Sequence, residues 1–193
     1  MDQFDLDISL MLRARDGDEK AFEELVERHK QRVFSFAYRF LGDYQAAEDV
    51  AQEIFISVYH ARKNYFPQAK FTTWLYVICR NACLKAVRRK RPSQVSIDQA
   101  IDLEEGTVSV QIEDPKASSP SETVLKEEKA LVVKGAINAL PENQRTVVLF
   151  HRYEQLSYEE IAQVTGFSVK AVKSLLHRAR VNLKDKLTDY FNK

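Results

Sequence analysis

At 193 residues the chain has room for one ordinary domain or two small ones, and 45% hydrophobic with 30% charged residues fits a globular protein. No apolar run reaches the ~18 residues a membrane span needs, and the acidic start MDQFDLD is not a signal peptide, so the cytoplasm is the expected compartment. A net charge of +1 taken alone argues against nucleic acid, but the distribution of charge along the chain reverses that exclusion.

The first clear helical stripe is Phe22, Leu25, Val26, Val33, Phe36, Ala37 and Phe40, at spacings of threes and fours, with Gly42 as its stop. Asp43 can cap the next helix, whose inward stripe runs Ala47, Val50, Ala51, Ile54, Phe55, Val58. The loop NYFPQAKF follows, where Pro67 breaks the helix. Thr72 or Thr73 then starts another that continues to about Lys90. Cys79 and Cys83 lie four apart within it, without a His or further Cys at ligand spacing. They read as two small buried side chains rather than half of a soft-metal site.

Residues 92–119 lose the helical period. Between Pro92 and Ser121 stand six acids (Asp98, Asp102, Glu104, Glu105, Glu113, Asp114) and one base, Lys116, directly after the basic run Arg88-Arg89-Lys90-Arg91. Such a stretch is too long for a loop inside a compact domain and is expected to be a flexible acidic linker. Periodicity resumes at Ser119-Pro120-Ser121-Glu122, a cap, a proline at the first helical position and an early glutamate. Helices are then expected near 120–139, 141–153, 157–165 and 168–189. No strand pattern persists in either half, so the expected fold is all-α, with small helical domains at 1–91 and 120–193.

The last two helices carry a chemical signal. Ser157 and Glu160 form a capping box, Gly166 suits a left-handed helix end, and Ser168 can cap the helix that follows. Val169, Val172, Leu176 and Ala179 would pack inward, leaving Lys170, Lys173, Ser174, His177 and Arg178 outward. From Lys170 to Lys186 there are six bases and one acid, a face suited to base edges and phosphates in a major groove. An amphipathic hairpin with a solvated basic face is the plainer reading; the glycine placement and one-sided basicity favour a DNA-reading helix-turn-helix.

The first half offers two further surfaces. Glu48, Asp49, Gln52 and Glu53 form a polar side on an otherwise apolar helix, which suits either a solvated face or a docking face for a partner. Phe71, Trp74, Tyr76, Asn81, Lys85, Arg88 and Arg89 interleave aromatics, an amide and cations. That mixture suits single-stranded DNA, where bases stack or enter pockets while cations follow phosphates. The competing reading places Phe71 or Trp74 in the core.

The segments LGDYQAAEDVAQEIF, FTTWLY and LPENQRTVVLFHRYEQLSYEEIAQVTGFSVKAVKSLLHRAR, in this order around an acidic linker, resemble an RNA polymerase sigma factor of the extracytoplasmic-function (ECF) group of the sigma-70 family. The resemblance implies that 1–91 is sigma region 2, which binds the β′ clamp helices of core polymerase and recognises and melts the −10 element. It implies that 120–193 is region 4, which places its helix-turn-helix on the −35 element and touches the β flap. Glu48, Asp49, Gln52 and Glu53 would meet the clamp. Phe66, Lys70, Phe71, Trp74, Tyr76 and Asn81 would lie where an extruded base of the −10 element is captured, with Lys85, Arg88 and Arg89 following DNA upstream. Ser168, Lys170, Lys173, Ser174, His177 and Arg178 would meet the −35 element.

The chain departs from the family where Gly-Thr is common, having Lys170-Ala171, and at a frequent arginine, where Leu175 stands and could face protein or DNA. The further implied partner is an anti-sigma factor; no cofactor or metal is implied. A free-standing helix-turn-helix regulator leaves the acidic helix face and the Trp-Tyr-Asn-Lys-Arg helix without a role. An enzyme would need a phosphate-binding loop, metal cluster or nucleophile elbow, and the sequence offers none of these motifs.

Overall fold

The computed structural model describes the backbone of residues 3–90 and 120–191, with side chains over 6–89 and 128–190 apart from residue 189. The described residues are helical apart from turns. In the first half α1 spans Gln3–Arg15, α2 Glu19–Leu41, α3 Tyr44–Ala61 and α4 Phe71–Lys90, with a short 3-10 turn at Arg62–Asn64. In the second half α5 spans Pro120–Asn138, α6 Glu142–Arg152, α7 Tyr158–Thr165 and α8 Val169–Phe191. The expected acidic linker lies outside the described residues. No helix among those described is long and apolar enough to cross a membrane.

Local chemistry sets the helix ends. Asp18 accepts the Ala21 amide at the start of α2, and Asp43 accepts the Ala46 amide at the start of α3. Between those helices Gly42 takes φ 76°, the left-handed conformation that ends a helix at little cost when there is no Cβ. The structure also contains a helix without a counterpart in the sequence reading. In α1, Leu10, Met11 and Ala14 are buried against the following helices. The spacing of Leu6, Leu10 and Met11 was the available signal, too short by itself to stand above the acidic start. Helix α4 begins at Phe71, ahead of the expected start at Thr72 or Thr73.

The two helical halves share a continuous core. Phe36 of α2 stacks on Phe150 of α6 with ring centroids 4.9 Å apart, and Tyr76 of α4 meets Phe150 edge-on at 5.4 Å. Arg145 of α6 donates to the Phe40 carbonyl at 2.8 Å, and Lys134 of α5 donates to the Tyr38 hydroxyl at 2.6 Å. Helix α7 lies against α4. The period of an apolar stripe says that a side chain is buried but not which half covers it, so this packing had no sequence signature.

Candidate nucleic-acid and polymerase interfaces

Three surfaces hold the residues singled out in the sequence. On α3, Glu48, Asp49 and Gln52 are exposed in successive turns, with Ala47, Val50 and Ile54 buried behind them. Glu53 differs from its neighbours: Lys85 Nζ donates to one of its oxygens at 2.7 Å and Arg89 to the other at 3.4 Å. The adjacent ammonium of Lys85 holds the Glu53 carboxyl below the usual range, with Arg89 adding to the effect. Lys85 and Arg89 are largely in solvent and Glu53 is partly exposed, so the cluster adds little to stability. Its consequence is placement, since it links the acidic face of α3 to the cationic edge of α4.

Along that edge an open groove of about 520 Å³ is lined by Arg80, Asn81, Leu84, Lys85, Arg88 and Arg89. Asn81, Lys85, Arg88 and Arg89 are exposed, as a surface for phosphates and an unpaired base requires. The aromatic residues divide. Phe66 is 71% exposed at the tip of the loop before α4, and Trp74 is half-buried with its ring 5.1 Å from Tyr65. Phe71 and Tyr76, expected among the DNA-facing residues, are 2% and 1% exposed. Phe71 is packed against Trp74 and the His29 ring, and Tyr76 against Phe36 and Phe150. Both therefore support the surface from beneath, because the inward positions of α4 fall on them.

Below the loop, His29 Nε2 lies 3.0 Å from Asp7, whose other oxygen accepts from Arg28 Nε at 2.8 Å. Burial pushes the His29 imidazole toward its neutral form more strongly than Asp7 opposes it. This pair ties α1 and α2 to the floor on which Tyr65, Phe71 and Trp74 rest. On the same helix, burial raises the Cys79 thiol well above its ordinary range and Cys83 to about 12. Both thiols are inert buried groups, as their spacing suggested.

The second half builds the third surface. Ser157 accepts the Glu160 amide at 3.1 Å while Glu160 accepts the Ser157 amide at 2.9 Å, completing the capping box of α7. Gly166 takes φ 74°, and Ser168 accepts the Ala171 amide at 3.2 Å to open α8. Val172, Leu176 and Ala179 are buried, while Ser168, Lys170, Lys173, Ser174, His177 and Arg178 are exposed. Leu175 is half-buried and packs against the core, so it faces protein.

Contacts between the halves fall close to these surfaces. Lys70, in the loop before α4, donates to Glu160 of α7 at 2.8 Å. The buried carboxylate of Glu154 accepts from Arg32 Nε at 2.8 Å and from the Tyr76 hydroxyl. Neither Glu154 nor Arg32 stood out in the sequence.

A family model described as Sigma-70 region 2 matches residues 25–92, and one described as Sigma-70, region 4 matches residues 131–183. The chain is 32% identical over 177 residues to the ECF RNA polymerase sigma factor SigW of Bacillus subtilis, covering 92% of this chain and 94% of that one. It is 36% identical over 178 residues to the RNA polymerase sigma-H factor of Pseudomonas aeruginosa, covering 90% of each. With the ECF RNA polymerase sigma-E factor of Escherichia coli it shares 34% over 184 residues and 92% of each chain. Among solved structures, its fold is similar to CnrH in complex with the cytosolic domain of CnrY, with a TM-score of 0.69 at 24% identity over 95% of this chain and 98% of that one. It is similar also to the sigma factor RpoE in complex with the anti-sigma factor NepR from Bartonella quintana, at 0.62 and 21% over 88% and 98%. The chain belongs to the sigma-70 family of RNA polymerase sigma factors, in its extracytoplasmic-function group.

Proposed function

We infer that this sigma factor binds core RNA polymerase and directs promoter-specific initiation, with residues 1–91 acting on the clamp and the −10 element and 120–193 on the −35 element. The observation that carries the division of labour is the separation of three exposed surfaces by type: acidic on α3, mixed cationic and amide on α4, and basic on α8. Glu48, Asp49, Gln52 and Glu53 are assigned to the β′ clamp helices. Asn81, Trp74 and Phe66 are assigned to capture of an extruded −10 base, with Lys70, Lys85, Arg88 and Arg89 along the phosphates. Phe71 and Tyr76 position that surface. Ser168, Lys170, Lys173, Ser174, His177 and Arg178 are assigned to the −35 element, while the β flap contacts the same half.

The protein performs no covalent chemistry in this reading. Unstacking a base costs a few kcal/mol, and capture of that base offsets the cost. Two modest DNA contacts held together on polymerase gain from effective concentration, so neither needs to be strong alone. It acts in the cytoplasm, where the polymerase is, and an anti-sigma factor holds it in reserve, as the family resemblance implies.

Run-off transcription with core polymerase tests the roles. Asn81→Ala is expected to reduce initiation most at promoters with a weak −10 element, and Lys173→Ala most at those with a weak −35 element. Each loses roughly tenfold, one good base or phosphate contact. Equal effects of both variants on both promoter types would refute the assignment.

A further inference from the structure

One carboxylate stands between the face given above to polymerase and the edge given to the −10 element. Glu53 is on the acidic side of α3, four residues after Asp49 and one after Gln52. Its side chain is 33% exposed and reaches α4, where Lys85 Nζ donates to one oxygen at 2.7 Å and Arg89 to the other at 3.4 Å. Lys85 and Arg89 are one helical turn apart and supply two of the four cations that line the open groove on α4, with Arg80 and Arg88. The Lys85 ammonium holds the Glu53 carboxyl below the usual range, so the bridge is charged at neutral pH. Asp49, exposed on the same face of α3, has no ion-pair partner among the described residues.

The two assignments make competing demands on this cluster. A basic surface of polymerase that recognises Glu48 and Asp49 is drawn to Glu53 as well, because acids along one helix face attract the same partner. Phosphates that follow Lys85 and Arg89 must displace the same carboxylate. An exposed ion pair contributes little to folding, since water solvates each end almost as well. It does subtract from phosphate attraction, because the groove then presents two of its cations already neutralised. A partner that takes one side of the bridge therefore raises the affinity of the other side, and the coupling is reciprocal.

Resting on the assignment of these surfaces to the clamp and to −10 phosphates, we propose that Glu53 is a charge relay: it neutralises Lys85 and Arg89 in the free protein and yields them to DNA when a basic group of polymerase takes its carboxylate. The relay links the two sites through one side chain and needs no movement of either helix. It does not depend on the second half, since all three residues belong to α3 and α4.

Fluorescence anisotropy of the full-length protein with a labelled single-stranded oligothymidylate at low salt, beside its affinity for core polymerase, tests the relay. The oligothymidylate reports phosphate contacts without requiring the promoter sequence. Glu53→Gln keeps the shape of the side chain and is expected to tighten binding to the oligonucleotide about threefold, the size of one exposed ion pair. The gain should vanish when Lys85→Ala and Arg89→Ala are added, because the carboxylate then has nothing to withhold. Asp49→Asn removes the same charge from the same face without breaking a bridge. It should give a smaller gain that persists in the Lys85→Ala, Arg89→Ala background. Both Glu53→Gln and Asp49→Asn should weaken core binding. Equal gains from these two variants, or a Glu53→Gln gain that survives the loss of Lys85 and Arg89, would overturn the relay alone. Unchanged core binding in both would remove the polymerase assignment and the relay with it. Oligonucleotide binding is read without polymerase, so the two failures register in different measurements.

Discussion

Phe66 and Phe71 stand five residues apart on either side of the same loop and have opposite surroundings. Phe66 is 71% exposed, whereas Phe71 is 2% exposed against Trp74 and His29. An exposed ring has little folding energy to lose, and a base that stacks on it gains ~1–3 kcal/mol. Phe66→Ala is therefore expected to leave the melting temperature unchanged and to slow open-complex formation roughly tenfold. Phe71→Ala should destabilise the first half by about 3–5 kcal/mol through the cavity it leaves. Thermal melts beside permanganate reactivity of the −10 thymines separate the two; equal destabilisation would mean that Phe66 is packed in solution. The pattern FPQAKFTTWLY marked both residues as candidates, since aromatics beside cations announce a nucleic-acid surface without saying which ring is covered. Leu175 was open for the same reason until its packing against the core placed it toward protein.

At the scale of elements, the helix-turn-helix was the most legible part of the chain, because each of its boundaries is written in local chemistry. The Ser157–Glu160 box, the left-handed Gly166 and the Ser168 cap all stand where the residue types suggested. Ser157→Ala removes the acceptor for the Glu160 amide and should cost ~1 kcal/mol, a fall of roughly 2–4 °C in melting temperature. Differential scanning calorimetry reads that shift; no shift would show that the Glu160 side chain and its bond to Lys70 suffice to hold the end of α7. Helix α1 was less legible. Among the described residues its buried apolar side chains are Leu10, Met11 and Ala14, and its role comes from the buried Asp7 reaching His29 and Arg28 on α2, a long-range pairing that no local pattern encodes.

Across the whole molecule, the sequence conveyed two helical halves and the chemistry of their faces, but not the joint between them. Phe36 and Phe40 read as core and are core; Tyr76, expected to face DNA, and Phe150, on which the sequence was silent, are core as well, and they join the two halves. Glu154 was silent because a polar residue in a turn ordinarily faces water. Its burial comes from a partner surface more than seventy positions earlier in the chain. The basic face of α8 and the cationic edge of α4 are both exposed in this state, but with the halves packed together they cannot span two separated elements, so DNA contact by the free protein would be limited to one weak grip. On this reading, promoter recognition belongs to the complex with polymerase rather than to the chain alone. Footprinting on a cognate promoter, with and without core polymerase, tests this most directly. Protection is expected at both the −10 and −35 elements with core and at neither without it; tight, specific protection by the isolated protein would overturn this reading.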